Sequence, residues 1–120
     1  MKVFYNDFIP FKGFKAINLF GILFARNGST ISDVDLTHES IHTKQMKEML
    51  YIPFYIWYAI EWIVRFIGCG DSRLAYRRIS FELEAYLNQY DENYLKNRKH
   101  FAWHSSTTKT RFTAYYTNIT

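Results

Sequence analysis

Apolar and polar positions change their pattern several times along the chain, and each change predicts an element. Met1–Tyr5 and Ala16–Ala25 are runs rich in Val, Ile, Leu and Phe. Pro10 and Gly13 punctuate the gap between them, and Asn27-Gly28, a strong turn signal, closes the second. They predict two strands of a small antiparallel sheet. The second run is broken by Asn18 and ends in Arg26-Asn27-Gly28 without a small-residue cleavage site, so it reads as a strand and not as a signal peptide. Ser32 follows as a predicted helix N-cap, with Asp33 and Asp35 suited to the positive end of the helix dipole. The first helix is expected over about 33–50.

Met49–Gly68 reads MLYIPFYIWYAIEWIVRFIG, which matches the length of about 20 residues that a bilayer span needs. It also holds Pro53, Glu61 and Arg65. The two charges stand four residues apart, where they can pair on one helix face, and a charged pair is costly in hydrocarbon. A core helix, or one lying against a membrane surface or a second copy of the chain through residues 51–67, fits better than a span. Pro53 places the helix start, and Gly68-Cys69-Gly70-Asp71 its end. A third helix is expected from about Ser72 to Gln89, in one piece or in two around Ser80, continuing toward Arg98. Residues 103–120 form a Ser- and Thr-rich tail that ends in a late strand or a loosely held segment. The fold class is therefore α+β: one domain over 1–120, with a small N-terminal antiparallel sheet packed against three helices.

Composition narrows the classes further. At 120 residues, 48% apolar and 22% charged, the chain is a single folded domain and neither disordered nor collagen-like. Cys69 stands alone, which removes a disulfide framework and a Cys-rich zinc site. The net charge of +4 is mild, the basic residues are scattered and no reader motif is present, so nucleic acid is not an expected partner. The expected location is the cytoplasm, with membrane association through 51–67 as the variant.

The chemistry lies in His38-Glu39-Ser40-Ile41-His42, an H-E-x-x-H pattern inside the first helix. Residues four apart share a helix face, so both imidazoles can reach one Zn2+. Glu39 can face the open coordination position and take a proton from the water there. A catalytic zinc wants a third protein ligand. Cys69, Glu82, Glu84, His100 and His104 are the candidates, and Phe81-Glu82-Leu83-Glu84-Ala85-Tyr86 is the best segment. Glu82 and Glu84 lie about 200° apart on a helix and cannot both face the ion. Glu82 shares a stripe with Tyr86, Gln89 and Tyr90, whereas Glu84 falls on a more polar, solvated one.

H-E-x-x-H followed by E-x-x-A on a later helix resembles the gluzincin class of zinc metallopeptidases, the thermolysin-like group. The resemblance implies a zincin-like active-site helix, His38, His42 and Glu82 as metal ligands with Glu84 as the alternative third, and Glu39 as the catalytic base. Tyr86 stands where that class has an Asp that hydrogen-bonds a ligand His. The chain is also similar to small uncharacterised bacterial proteins with H-E-x-x-H-x-x-Q, an aromatic-rich helix and F-E-x-E-A-Y. Those features here are His38 to Gln45, Tyr51 to Phe66 and Phe81 to Tyr86, and with NLFGILFAR the match covers most of residues 1–103.

The implied activity is zinc-dependent hydrolysis of a peptide or protein substrate. The alternative is a non-catalytic, zinc-stabilised module that works through its aromatic helix. Gln45 is placed to touch a ligand or the reacting water. Arg73, Arg77 and Arg78 form a solvated face, pair with Glu84 or bind a substrate anion. Tyr86, His100 and His104 are the candidate oxyanion donors. Asn18–Ile22 is a candidate edge strand for an extended substrate.

Overall fold

The second apolar run does not stay one strand. In the computed structural model, which describes residues 1–104, it folds back on itself at Phe20-Gly21. Both residues have positive φ, +55° and +91°, the geometry of a tight two-residue hairpin turn. The strands are β1 (Lys2–Asn6), β2 (Ala16–Leu19) and β3 (Ile22–Arg26), in the order β1-β3-β2. β3 pairs antiparallel with β2, Leu19 opposite Ile22, and parallel with β1, Val3 opposite Leu23. The sheet is thus mixed and not antiparallel: the hairpin reverses β3, which then takes the central place, and the 7–15 connection carries β2 to its far side.

Glycine is required at Gly21 twice over. Its φ is left-handed, and a Cβ there would meet Thr43 Cγ2 at 3.3 Å. The hairpin tip therefore seats directly on the first helix, α1 (Asp33–Glu48). Ser32 caps α1 as expected: its Oγ accepts from Asp35 N at 3.1 Å, and Ser32 N donates back to Asp35 Oδ2 at 3.0 Å. Lys15 bridges to Asp35 at 2.7 Å and ties the sheet to that end of the helix. Asn18, the polar break in the apolar run, is buried and donates to Glu39 O at 2.9 Å and Thr43 Oγ1 at 3.1 Å.

The helix α2 (Ile52–Cys69) starts with Pro53 in its first turn and ends at Gly70, whose φ of +72° lets its N–H reach Phe66 O. The expected third helix is divided into α3 (Ser72–Arg78), α4 (Ser80–Asn88) and α5 (Tyr94–Asn97), with a 3-10 turn at Ala102–His104. The break at Ile79, which is extended with ψ 132°, falls at the anticipated place. Glu61 explains it, because its Oε1 accepts from Ser80 N at 2.8 Å and Ser80 Oγ at 2.6 Å and so caps α4 from α2. Arg65 lies 3.6 Å from Glu61 as expected. α1 packs on α4, and Met46, Phe54, Ile79, Phe81 and Trp103 form the apolar core beneath α2. The outer face of α2 stays exposed, with Ile52, Ile56, Ile60, Ile63, Val64 and Ile67 all pointing to solvent. α2 is therefore not a core helix. The expected loose tail, 103–120, is corrected at its start, where Trp103 lies buried in the core within the 3-10 turn, and 105–120 lie outside the described residues.

Candidate metal centre

The α1–α4 packing brings the H-E-x-x-H face against Glu82. His38 Nε2 lies 3.1 Å from Glu82 Oε1, His42 Nε2 lies 3.1 Å from Glu82 Oε2, and the two Nε2 atoms are 3.1 Å apart. A tetrahedral ion with bonds of about 2.0–2.1 Å holds neighbouring ligand atoms about 3.3 Å apart. The spacings here come near that value, with a different Glu82 oxygen facing each ring. Ring nitrogens of His38 and His42 and a carboxylate oxygen of Glu39 also lie within 4.8 Å of one another, a group that could hold a metal ion. Two carboxylates thus flank the imidazole pair, with Glu82 in direct contact.

Outer contacts orient each member. His42 Nδ1 meets Gln45 Oε1 at 2.7 Å, and His38 Nδ1 meets Gln89 Oε1 at 2.8 Å. Gln45 in turn donates through Nε2 to Phe81 O and to Glu84 Oε1, both at 3.0 Å. Tyr58 OH donates to Glu82 Oε2 at 2.8 Å. Tyr86 lies beside His38. Its ring packs edge-on to His38 at 4.5 Å between centroids, and its hydroxyl meets that of Tyr76 at 3.2 Å. Two glutamines therefore stand where the gluzincin pattern would use an Asp.

Glu84 sits away from the imidazoles, and it is not solvated. It is fully buried and bonded to Arg98, Tyr94 and Gln45. Arg98 reaches across to Glu48 of α1 with a bidentate pair of bonds, 2.7 and 2.9 Å. The α4 stripe expected to face solvent thus faces a second buried polar cluster, because α5 folds back over it. The other candidates stand elsewhere. Cys69 bonds Asp71 O, His100 pairs with Glu48, and His104 borders a separate groove beside α2. Arg77 covers the Tyr86 ring at 4.2 Å, and Arg73 borders the cleft described next.

A cleft of about 650 Å3 opens over the centre, and Glu39, His42 and Glu82 form its polar floor. Ile17, Phe11 and Phe14 wall one side, and Met46, Phe54, Tyr55, Tyr58 and Tyr76 the other. The phenols of Tyr58 and Tyr76 are the cleft's hydroxyl donors that sequence reasoning missed. The signal for Tyr58 was the spacing of Tyr55, Tyr58 and Trp62 along the inner side of α2, which the surrounding apolar run concealed; Tyr76 lies on α3 and had no such signal.

The electrostatics follow from burial beside opposite charge. Burial pulls the His42 pKa down, but the adjacent Glu82 charge and hydrogen bond, with Glu39 and Gln45, push it up to about 9. Burial alone would raise Glu82, yet the charges and hydrogen bonds of His42 and His38 hold it well below the usual carboxylate range. Glu39 goes the other way: burial raises it, and the two His only partly offset that. Burial and then the Glu82 charge raise the phenols of Tyr58 and Tyr76, so both remain O–H donors. Two carboxylates with opposite shifts at one site suit different roles, one ionised and one able to exchange a proton.

No family model, curated protein or solved structure matches the chain.

Proposed function

We propose that the protein is a zinc-dependent metallopeptidase in which His38, His42 and Glu82 hold the ion and Glu39 is the catalytic base. The observation that supports this most directly is that the two Nε2 atoms lie 3.1 Å from each other and each lies 3.1 Å from one of the two Glu82 oxygens. Two imidazoles and one carboxylate suit zinc and leave a fourth position for water. A bound zinc ion polarises a carbonyl and lowers the pKa of a coordinated water to about 7. Glu82 serves as ligand because it is ionised and touches both rings. Glu39, with its raised pKa, accepts the proton of the attacking water and passes it to the leaving amine. Tyr58 and Tyr76 border the same cleft as O–H donors suited to a developing oxyanion.

The sheet supports a peptide substrate. β2 is an edge strand, Ala16–Leu19 rather than the expected Asn18–Ile22, and it borders the cleft. The hairpin turn makes Leu19 and Ile17 the residues bonded to β3, which turns the amide groups of Ala16 and Asn18 outward. Tyr55 OH takes the Asn18 C=O at 3.2 Å and the Phe20 N–H at 2.9 Å. An extended chain would add at the Ala16 end. Glu39→Gln tests the reading. It should lower peptide-library cleavage by about 10²–10⁴-fold while zinc content stays at one per chain. A wild type that binds no zinc, or equal cleavage by both proteins, would sink it.

A second reading concerns α2. Tyr55, Tyr58, Glu61 and Trp62 bond it to the domain along its inner side, while its outer side is apolar from Ile52 to Ile67. A helix held lengthwise in this way lies on a lipid surface and does not cross it. Co-sedimentation with vesicles should capture the wild type and not Ile60→Glu. Concentration-dependent dimerisation lost in the same variant would assign the face to a second copy instead.

A further inference from the structure

We infer that Gln45 is a positioning residue that locks the His42 imidazole with its proton on Nδ1, so that only Nε2 is offered to a metal. The inference rests on the metal site proposed above and adds the device that aims one of its ligands.

Gln45 is fully buried, and both ends of its amide have partners. Its Nε2 sits 3.0 Å from the Phe81 carbonyl and 3.0 Å from Glu84 Oε1, and these are acceptors. The amide must therefore turn its NH2 toward them, which leaves Oε1 facing His42 Nδ1 at 2.7 Å. An acceptor oxygen opposite a ring nitrogen requires N–H on that nitrogen. Nδ1 carries the proton whether the ring is neutral or protonated, and the free lone pair of the neutral ring is on Nε2.

The lock extends outward. Glu84 receives donors from Arg98 and Tyr94 and so acts toward Gln45 as an acceptor. Arg98 is pinned a second time by Glu48 at the end of α1. The relay Glu48–Arg98–Glu84–Gln45–His42 thus starts and finishes on α1 and passes through Arg98, just after α5, and α4. It sets the ring orientation with the same packing that brings Glu82 to the site. The side chain has to accept at one end and donate at the other. Met matches Gln in size and does neither, while Glu accepts but puts a second carboxylate against Glu84. Gln89 makes the equivalent contact to His38 from a half-buried position, where water can take its place.

Zinc competition against a chromophoric chelator, with the full chain, tests the lock. Gln45→Met should weaken zinc binding about 10–100-fold, and Gln89→Met should weaken it less. Ring nitrogen NMR on 15N-histidine-labelled wild type supplies a readout independent of folding changes and of hydrolysis. In the metal-free protein at a pH alkaline enough to leave the ring neutral, His42 should carry its proton on Nδ1, and in Gln45→Met that proton should move to Nε2, which faces Glu82. A folded Gln45→Met with wild-type affinity, or a bare His42 Nδ1 in the wild type, would overturn the inference. Absence of zinc binding by the wild type would remove the metal reading, and the Nδ1 signal of the metal-free protein would still decide the lock.

Discussion

The two flanks of this small domain reverse the usual distribution of polarity. Between α1 and α4 the interior holds His42, Gln45, Glu82, Glu84 and Asn88, all buried. On the outer side of α2, 18 residues long, a row of Ile and Val faces out. Buried polar groups are tolerated only when each has partners, and here the imidazoles, glutamines, carboxylates and Arg98 supply one another. An apolar row in solvent has no such remedy and is retained where something else covers it. The comparison teaches that the α1–α4 seam keeps its polar groups because they are paired, while the α2 flank leaves its apolar row open to water. Substitutions on the two flanks should therefore differ sharply in cost.

Arg98→Met should be the most damaging. It leaves Glu48 and Glu84 buried without their cation, and the loss should reach about 3–5 kcal/mol in urea unfolding. Tyr58→Phe removes the hydroxyl donor of an ionised, buried Glu82, and about 1.5–3 kcal/mol should be lost. Retention of full stability by either variant would show that the seam is less tightly paired than its geometry indicates.

The metal-free protein should also reveal the His42–Glu82 pair through pH. The folded pKa of His42 is raised from 6.5 to about 9, so its contribution is complete below pH 6.5 and disappears as pH climbs through about 9. Glu82 is lowered from 4.5, so its contribution is complete above pH 4.5 and is lost as the solution becomes more acidic. Both describe one interaction, and thermal unfolding of the metal-free protein should be highest between those limits. Saturating zinc should remove the decline on the alkaline side. Ile60→Glu, on the other flank, should shift stability by no more than about 0.5 kcal/mol, because the site is already open to water. A large loss there would mean that the outer face of α2 is packed and not exposed.

Much of the seam was legible before the fold. The period of four places His38 and His42 together on any helix, and angular position shows that Glu82 and Glu84 cannot both face them. Ser32 and Asp35 announce their cap for local reasons. The errors came where distant contacts decide. The hairpin at Phe20-Gly21 was hidden because Phe is an unusual residue at positive φ, and it is held there from α2, where Tyr55 OH accepts its N–H, and by ring contacts with Tyr51 and Tyr55. Glu84 looked solvated because its partners lie on α5 and beyond, at Tyr94 and Arg98. Glu61 looked like half of a surface pair, but its principal contact is the start of α4.

By itself, the sequence determined where α1 and α2 begin and where α2 ends, and that two imidazoles and a following Glu share one turn, because those are matters of spacing within a few residues. The tertiary structure alone decided that Glu82 closes the triangle, that Gln45 holds His42 and that α2 turns its apolar side outward. Each of these depends on which element lies against which, and a pairing between residues about forty positions apart leaves no mark on the local pattern of the chain.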